Sequence, residues 1–464
     1  MNRSATLLCV IPVLLWTAGC GGSNGGQIST SPSSPQVYFA PSVGGNSQQI
    51  LSVDDTNGIF TQTQYGTQIG PGPQVIDTGV LSIDQHGLRS LGILNNYAFS
   101  STTGIYEPVT YPATSPEEGS FAVELPNQAG GFALLTGEPL MPLMNASQCP
   151  SLSTAQTYLY LTIPGALAPV DGEQEYGGWN PATDTAYGSV DISTSGGTVK
   201  FLNNVQYILP TAPGLAAVAP TQPGASTATG TCAPTLEGNL INAPGQLIIT
   251  DPGGQPTYTP QAIMGIGPSG LLVENDSPTN PSPGTVSSLN YNNLLGAGTG
   301  AVGIPKPSCT AGQPNSSCAV DTSSLTGAKY LGFIYSAGYF SNNQIIGQAT
   351  HVASFGYSSC PSVYPASSTV IYGGDFSNDD PSASMSGYGN CDFAVDLGPQ
   401  DPTTDGLYPQ ATVSVGLSYA GNTTGKTYSF SAVAIAGQLN STNAIFVIGV
   451  DSTEPWSIYL LQSK

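Results

Sequence analysis

The sequence predicts an all-β fold, and three of its features support this prediction. About two dozen short segments alternate apolar with polar residues or are rich in β-branched and aromatic residues, as strands are. Turn-forming residues lie between these segments, and the chain of 464 residues contains 58 Gly and 39 Pro. Every candidate for an amphipathic helix of about ten or more residues is interrupted by Gly, Pro or β-branched residues, which disfavour helices.

Strand signals begin after residue 35 and recur through the first two thirds of the chain, with a predicted loop at Thr211–Pro234. The predicted strands in this part are Val37–Ala40, Ile50–Val53, Ile59–Tyr65, Gln74–Ile83, Leu88–Phe99, Ser120–Leu125, Gly131–Leu135, Tyr158–Ile163, Tyr187–Ile192, Thr198–Leu209, Gln246–Thr250, Ala262–Ile266 and Leu271–Glu274. A second loop is predicted at Asn275–Ser288 and a third at Gly296–Cys318, before the most regular part of the pattern. The predicted strands after it are Tyr330–Tyr335, Val352–Tyr357, Thr369–Tyr372, Phe393–Leu397, Ala411–Tyr419, Tyr428–Gln438, Ala444–Asp451 and Ser457–Gln462.

Two architectures fit so many short strands with even spacing. The first is a single β-propeller of about six or seven blades. Its last blade takes three strands from Tyr428–Gln462 and a fourth from Val37–Ala40, and this closes the ring. The alternative is two or three tandem antiparallel β-barrels or sandwiches, with divisions near residues 150 and 320. We take the propeller as the first expectation.

A weak internal repeat occurs at an offset of 172 residues. Tyr158-Leu159 corresponds to Tyr330-Leu331, and Ala262-Ile263 with Gly265 corresponds to Ala434-Ile435 with Gly437. The match is lost between these points. Duplication of a β unit and chance likeness between hairpins both account for it.

The N-terminus carries an export signal. Arg3 precedes an apolar run, Ala5–Trp16, that suits a signal peptide and is too short to span a bilayer as a helix. The sequence Thr17-Ala18-Gly19-Cys20 then resembles the bacterial lipobox, although Thr17 stands where Leu is usual. The resemblance implies cleavage after residue 19 and acylation of Cys20, hence a membrane anchor.

Residues 1–19 are therefore predicted to be a signal peptide, residues 20–35 a flexible Gly/Ser/Asn/Pro tether, and residues 36–464 the all-β region. Gly21 after the cysteine favours the outer membrane, by analogy with lipoprotein sorting. The predicted location is the cell envelope, on the periplasmic face of the outer membrane or at the cell surface.

Three segments carry a second resemblance: YLGFIYSAG (Tyr330–Gly338), GNCDFAVDLG (Gly389–Gly398) and WSIYLLQSK (Trp456–Lys464). Through them the chain resembles Gly/Ser/Thr-rich secreted lipoproteins of environmental bacteria, a group with no known activity. The resemblance implies export and implies nothing about chemistry.

The charge balance excludes several classes of partner. The chain holds 7 Lys/Arg against 28 Asp/Glu, a formal charge of −21. Nucleic acid needs clustered Lys and Arg, and anionic lipid needs a basic face; here the basic residues are scattered singly. We expect no nucleic-acid partner.

Six cysteines remain after Cys20, an even number in an exported chain, and we expect three disulfides. Their pairing stays open, although Cys309 and Cys318 flank a short loop. The six are Cys149, Cys232, Cys309, Cys318, Cys360 and Cys391. A zinc site is disfavoured because no CxxC occurs and the chain has 2 His.

Ile76-Asp77-Thr78-Gly79 resembles the Asp-Thr-Gly loop of aspartic proteases, in which two such loops share one proton between two carboxylates. The nearest candidate for the second loop, at Asp251, has Pro252 where a hydroxyl is required. We interpret Asp77 as a turn residue instead.

An acidic segment spans residues 375–405. It holds seven carboxylates where the chain average predicts about two. They are Asp375, Asp379, Asp380, Asp392, Asp396, Asp401 and Asp405. Calcium prefers such hard oxygens on loops, so a calcium site at Asp375, Asp379, Asp380, Asp392 and Asp396 is one interpretation. Solvated turn aspartates that keep the protein soluble are the other.

No cofactor other than calcium and no catalytic residue is assigned from the sequence. We expect a lipid-anchored binding or structural module of the cell envelope, with a glycan or a protein as ligand. The competing interpretation is a tethered hydrolase that uses two carboxylates on polysaccharide or peptide.

Overall fold

The structure is a computed structural model, and it describes twenty-eight stretches of the chain. These are residues 36–40, 47–66, 75–83, 88–100, 102–108, 120–124, 131–134, 141–143, 152, 154–164, 186–195, 198–209, 226–235, 238–244, 249–250, 256–258, 260–266, 270–278, 299–307, 320–336, 339–341, 344–346, 349–357, 368–375, 392–417, 425–439, 441–451 and 455–462.

The first sheet, called here the N-terminal sheet, has nine antiparallel strands. Its strands are β1 Gln36–Ala40, β2 Ser47–Asp54, β3 Ile59–Gly66, β4 Val75–Ile83, β5 Leu88–Ser100, β6 Ile105–Pro108, β7 Ser120–Glu124, β8 Gly131–Leu134 and β9 Met141–Leu143. The strands pair in sequence order, except that β6 pairs β5 beside this path. Because β1 comes into contact with β9, the sheet curls and its inner face is concave.

The second sheet is a closed barrel of eight antiparallel strands, called here the middle barrel. Its strands are β10 Gln156–Pro164, β11 Ala186–Ser195, β12 Thr198–Ile208, β13 Ser226–Thr235, β14 Gly238–Pro244, β17 Pro260–Ile266, β18 Leu272–Pro278 and β19 Thr299–Pro305. A two-stranded sheet, β15 Ile249–Thr250 with β16 Pro256–Tyr258, lies between β14 and β17 in sequence. Pairing of β10 with β19 closes the barrel.

The third sheet is a second closed barrel of eight antiparallel strands, called here the C-terminal barrel. Its strands are β20 Tyr330–Ser336, β23 Ala349–Tyr357, β24 Val370–Asp375, β25 Phe393–Asp396, β26 Leu407–Val415, β27 Tyr428–Leu439, β28 Thr442–Val450 and β29 Pro455–Gln462. The hairpin β21 Tyr339–Ser341 with β22 Gln344–Ile346 follows β20. Pairing of β20 with β29 closes this barrel.

The prediction of an all-β fold is confirmed. The propeller is wrong, because β1 pairs with β2 rather than with the last three strands, and β29 pairs with β20. A propeller blade has four strands with free edges, whereas these two sheets close on themselves. Strand and turn signals give the number of strands, but they do not show which distant strands meet.

Two predicted loops contain strands. The loop predicted at Thr211–Pro234 includes most of β13, and the loop predicted at Gly296–Cys318 includes β19. Both strands are rich in small residues, which give no strong periodic signal. Their backbone groups are paired on both sides, β13 with β12 and β14, and β19 with β10 and β18. Tertiary pairing thus decides their conformation.

The internal repeat lies at equivalent places in the two barrels. Tyr158 and Tyr330 are on the first strand of each barrel, β10 and β20. The Ala-Ile-x-Gly segments that begin at Ala262 and Ala434 are on the sixth strand of each, β17 and β27. Equal strand number, equal order and this placement support duplication of one barrel unit.

The C-terminal barrel is buried on two faces along part of its circumference. Strands β20 and β28 are buried along nearly their whole length. Along β28, Ile445 and Val447 point into the barrel, whereas Phe446 and Ile448 belong to an outer cluster shared with the middle barrel. We call this outer cluster the barrel interface. Its members are Leu159, Leu161, Tyr187, Leu209, Leu271, Val273, Val302, Ile304, Phe333, Tyr335, Leu407, Val433, Ile435, Leu439, Ala444, Phe446, Ile448, Val450, Tyr459 and Leu461.

Two glycines let the two backbones approach closely at the barrel interface. A Cβ at Gly437 of β27 would lie 2.9 Å from the carbonyl oxygen of Pro305, at the end of β19. Gly406, with φ of 81°, leaves room for the ring of Pro307. The end of the middle barrel therefore rests directly on the backbone of the C-terminal barrel.

A short helix, α1 (Thr322–Thr326), packs at one end of the C-terminal barrel. Its Leu325 joins the barrel core, and the Leu325 carbonyl accepts a hydrogen bond from the Tyr330 hydroxyl at 2.8 Å. Asp321 caps the helix by accepting from the Ser324 amide at 2.6 Å, and this and further hydrogen bonds lower the pKa of Asp321. The helix thus covers the barrel end beside Tyr330.

Residues 34–464 form one compact unit. Within the residues described above, no helix is long and apolar enough to cross a membrane.

Candidate functional site

Two stacked tyrosines stand at the edge of the barrel interface. Tyr187 on β11 and Tyr207 on β12 are register partners. Their rings are 5.2 Å apart between centroids, with an interplanar angle of 17°. Tyr187 is buried in the barrel interface and Tyr207 packs against it while remaining partly exposed. Because Tyr187 covers one face of the Tyr207 ring, the exposed surface of Tyr207 belongs to its other face and edge.

A loop of the C-terminal barrel brings a carboxylate near enough to Tyr187 for its charge to raise the pKa of that tyrosine. Asp401 follows β25 and precedes β26, and its amide donates to the Leu407 carbonyl at 2.8 Å. Its Oδ1 accepts from the Thr403 amide at 2.8 Å, the Thr403 hydroxyl at 2.7 Å and the Thr404 amide at 2.8 Å. In the part of the chain that the structure describes, Oδ2 accepts none of these bonds. Asp401 thus organises the loop through Oδ1, and Oδ2 takes no part in these bonds.

The ionisation of Tyr187 reflects this arrangement. Its pKa is raised to about 12, mainly because burial disfavours the phenolate. The nearby Tyr207 and the negative charge of Asp401 raise it further. Tyr187 is therefore a neutral hydroxyl at ordinary pH, and Asp401 acts on it from the neighbouring barrel.

Gln400, directly before Asp401, supplies an amide in the same loop. Both its Oε1 and its Nε2 are buried and have no hydrogen-bond partner among the described residues. A buried amide without partners costs free energy, about 1–3 kcal/mol on protein scales. If the side chain changes rotamer and brings the amide to the surface, a bound molecule that both donates and accepts hydrogen bonds can recover this cost. Tyr187, Tyr207, Gln400 and Asp401 are called here the interface site.

The structure assigns turn roles to part of the acidic segment. Asp396 accepts from the Thr369 hydroxyl at 2.6 Å and from the Gly398 amide at 3.0 Å. Asp392 is fully buried directly before β25, and Asp375 is the last residue of β24. Asp379 and Asp380 lie outside the described residues. Among the described residues, no group of three His, Cys, Asp or Glu side chains is placed to hold a metal.

The other predicted residues fall mostly outside the described stretches. This holds for Cys20 and for Cys149, Cys309, Cys318, Cys360 and Cys391. Cys232 lies on β13, where its register partner is Ile241 of β14. No disulfide is assigned from these positions.

The Asp-Thr-Gly motif lies within a strand and not in a turn, so the turn interpretation is wrong. Asp77 is in the middle of β4, buried on the inner face of the N-terminal sheet. Asp251 lies outside the described residues. A side chain inside a paired strand cannot present its carboxylate from a loop, as the protease motif requires.

Sequence reasoning missed three residues of the interface site. Tyr187 and Tyr207 are two of 23 tyrosines, and no local pattern distinguishes them. Gln400 is an unremarkable residue of a Pro/Asp/Thr turn. Asp401 alone was singled out, as a member of the acidic segment.

The fold and the interface site define an all-β protein of two packed barrels and a curled sheet, with a polar and aromatic site between the barrels. No family model matches the chain. No curated protein matches it. Among solved structures it is similar to the isotype 1 transferrin-binding protein B from serogroup B Neisseria meningitidis, with 12% sequence identity and a TM-score of 0.22. That match covers 90% of this chain and 66% of the other, so the chain spans less than two thirds of that protein's length. A likeness of this degree carries no argument about function.

Proposed function

We propose that the chain is a lipid-anchored binding protein of the cell envelope that holds a neutral glycan at the interface site. The buried amide of Gln400 beside Asp401 is the observation that carries this proposal. Its donor and its acceptor both lack protein partners in the described residues, and this fits a ligand rich in hydroxyl groups.

The position of the site supports ligand binding. Ligand sites occur preferentially at interfaces between structural units, where two rigid bodies form a cleft. Here β11 and β12 supply the tyrosines, and the β25–β26 loop supplies Gln400 and Asp401. The exposed part of the Tyr207 ring offers an apolar surface for the C–H face of a sugar ring, while the amide and the carboxylate bind hydroxyl groups.

Charge favours a neutral glycan over an anionic one. The chain carries a formal charge of −21, and Asp401 adds a carboxylate at the site itself. An acidic sugar would be repelled at long range by the net charge of the chain and at short range by the Asp401 carboxylate. A neutral sugar hydroxyl can instead donate to Asp401 Oδ2.

The N-terminal sequence supports the location. The apolar run Ala5–Trp16, Cys20 in its lipobox-like context and the tether to residue 35 suit a protein anchored to the outer membrane by its lipid. The first strand that the structure describes, β1, begins at Gln36, directly after this tether.

The test is native affinity electrophoresis of the Cys20→Ser protein, produced without residues 1–19, in gels that contain neutral soluble polysaccharides of several linkages. We expect at least one polysaccharide to retard the protein. Tyr207→Ala and Gln400→Ala should each weaken that binding about tenfold or more, since an aromatic contact or a hydrogen bond of about 1.4 kcal/mol corresponds to a factor of ten.

Two control variants match these changes elsewhere on the chain. Tyr97→Ala removes another partly exposed tyrosine, and Gln410→Ala removes an exposed glutamine from β26. Both should bind as the parent does. Equal binding by Tyr207→Ala and its parent would show that the glycan does not bind at the interface site. If no neutral polysaccharide binds, and a photo-reactive residue at position 207 cross-links a protein on intact cells, the ligand is a protein and the glycan proposal fails.

A further inference from the structure

The turn between β2 and β3 contains the dipeptide Asn57-Gly58. Asn57 is exposed, and Gly58 follows it with φ of 63°. In this dipeptide the backbone nitrogen of the glycine can attack the side-chain carbon of the preceding asparagine. Glycine hinders that attack less than any other residue because it has no side chain. The turn therefore carries a sequence that can modify itself.

The modification needs water and no other reagent. The Gly58 nitrogen forms a bond to Asn57 Cγ, and the bond between Cγ and Nδ2 breaks. Nδ2 leaves as ammonia, with the proton that the Gly58 nitrogen gives up. Water then opens the cyclic imide at one of its two carbonyl carbons, and this leaves aspartate or isoaspartate at position 57. In isoaspartate the main chain runs through Cβ and Cγ and is one atom longer.

Asp54 holds both of the reacting groups. Its Oδ2 accepts a hydrogen bond from Asn57 Nδ2, the leaving group, at 2.6 Å. Its backbone carbonyl accepts from the Gly58 amide, the attacking group, at 2.8 Å. Asp54 Oδ1 accepts from the amides of Thr56 and Asn57, each at 3.0 Å. One residue thus fixes the turn through its side chain and its backbone.

These hydrogen bonds oppose the modification. The Gly58 amide has to leave the Asp54 carbonyl and lose its proton before its nitrogen can reach Asn57 Cγ. Negative charge then develops on that nitrogen and on the Asn57 oxygen, close to the Asp54 carboxylate, which repels it. Hydrogen bonds from Asn57, that of its side chain foremost, lower the pKa of Asp54, so this carboxylate is ionised at neutral pH.

The same turn is tied to the next strand pair of the N-terminal sheet. The Gly58 carbonyl accepts a hydrogen bond from the Leu81 amide of β4 at 2.8 Å. A Cβ at Gly58 would lie 3.4 Å from the Leu81 carbonyl oxygen, so the two backbones are close. An additional main-chain atom at position 57 would move Gly58 away from both Asp54 and Leu81.

We propose that Asn57-Gly58 is a self-modification site whose rate Asp54 limits. In the folded protein Asp54 keeps the turn closed and Asn57 converts slowly. When that restraint is lost, Asn57 converts to isoaspartate and aspartate, and the product loosens the β2–β3 hairpin from β4. The site is separate from the interface site, and it does not depend on the glycan proposal.

The test follows conversion of Asn57 in the Cys20→Ser protein without residues 1–19, at mildly alkaline pH. Peptide mapping by mass spectrometry measures the loss of Asn57, and an isoaspartyl methyltransferase used as a reagent detects isoaspartate. Asp54→Ala should speed the conversion about three- to tenfold, the factor expected for several weak hydrogen bonds to an exposed carboxylate. Glu107→Gln removes an equal charge from β6, where Glu107 is also exposed, and should convert at the rate of the parent.

Two further measurements keep the proposal testable if Asp54→Ala folds poorly, which circular dichroism checks. Asp54→Asn keeps an acceptor for the backbone amides and loses the carboxylate oxygen that holds Asn57 Nδ2, so it should speed conversion by less than Asp54→Ala does. The parent unfolded in urea should convert faster than the folded parent. Equal rates in the folded parent, Asp54→Asn and Asp54→Ala would overturn the role of Asp54. Absence of conversion in urea would show that Asn57 is not a modification site.

Discussion

Phe446 couples the two barrels, and its replacement by alanine should separate their unfolding. The Phe446 side chain is fully buried in the barrel interface. Its ring meets that of Tyr459 edge to face, with centroids 5.4 Å apart and an interplanar angle of 64°. Since Phe446 points away from the C-terminal barrel core, the change leaves that core intact while it opens a cavity between the barrels.

The magnitude follows from burial. Loss of a fully buried Phe to Ala costs about 3–5 kcal/mol, and the lost edge-to-face contact places this change in the upper half of the range. For a unit of 150–250 residues, about 4 kcal/mol lowers the melting temperature by roughly 8–16 °C. Ile445→Ala, one residue earlier on β28, opens a cavity inside the barrel and leaves the barrel interface filled. Phe446→Leu, which keeps most of the volume, should cost less than about 1.5 kcal/mol.

Differential scanning calorimetry combined with tryptophan fluorescence distinguishes the two kinds of cavity. In a Trp179→Phe protein without residues 1–19, Trp456 is the remaining tryptophan and reports from inside the C-terminal barrel, where its ring is 5.7 Å from that of Phe430. We expect Phe446→Ala to give two calorimetric transitions, of which the fluorescence follows one. Ile445→Ala should give one shifted transition that both probes share. A single coincident transition in Phe446→Ala, shifted as in Ile445→Ala, would refute the coupling role of the barrel interface.

Four further outcomes are expected. Cys20→Ser should release the protein from membranes into the soluble fraction, and a variant that still sediments with membranes would contradict the anchor. Thiol labelling of unreduced, unfolded protein followed by intact mass should find the six remaining cysteines oxidised; more than one labelled residue would contradict this. Calcium should raise the melting temperature through the acidic segment at residues 375–405: a site of about 10⁻⁴ M affinity at about 10⁻² M calcium adds about 2.7 kcal/mol. Equal melting temperatures in calcium, in magnesium and in chelator would show that these aspartates are solvated turn residues and do not bind calcium. Alkali should destabilise the protein, because burial raises the pKa of Tyr158 and of Tyr187 to about 12. The unfolded chain loses these protons from about pH 10, so the stabilisation is complete below pH 10 and is lost as pH rises to 12, as phenolate absorbance and unfolding followed together should show.

The strands themselves could be predicted from sequence, whereas their long-range pairing could not. The run Ala444–Asp451 reads as a strand because it is apolar and β-branched, and β28 is Thr442–Val450. Its nearly continuous apolar character also reports burial on two faces, inside the barrel and against the middle barrel. Closure of β29 onto β20 joins residues more than a hundred positions apart, and no local signal specifies it. The repeat at an offset of 172 residues was the clue available, since it marks the first and sixth strands of both barrels.

The helix α1 shows a signal that could have been found. Asp321 followed by Ser324 has the spacing of a capping box, and the structure contains both of its hydrogen bonds. No comparable local sequence pattern marks Tyr187, Tyr207 or Gln400. They come from two barrels, and a site assembled from residues about 200 positions apart depends on packing that periodicity does not encode.

Closure of the C-terminal barrel by its last strand sets the order in which the protein can fold. A growing chain completes the middle barrel once β19 is available, at Pro305, but β20 has no closing partner until β29, which ends at Gln462. During that interval the C-terminal barrel is not closed, so the apolar outer faces of β20, β27 and β28 are not yet packed. The middle barrel residues that pack against them stay exposed as well. Late closure of this kind is slow, because the loop entropy is lost before the contacts form. The folding intermediate with the longest life should therefore be one with a formed middle barrel and an open C-terminal sheet, and this is the species most prone to aggregate.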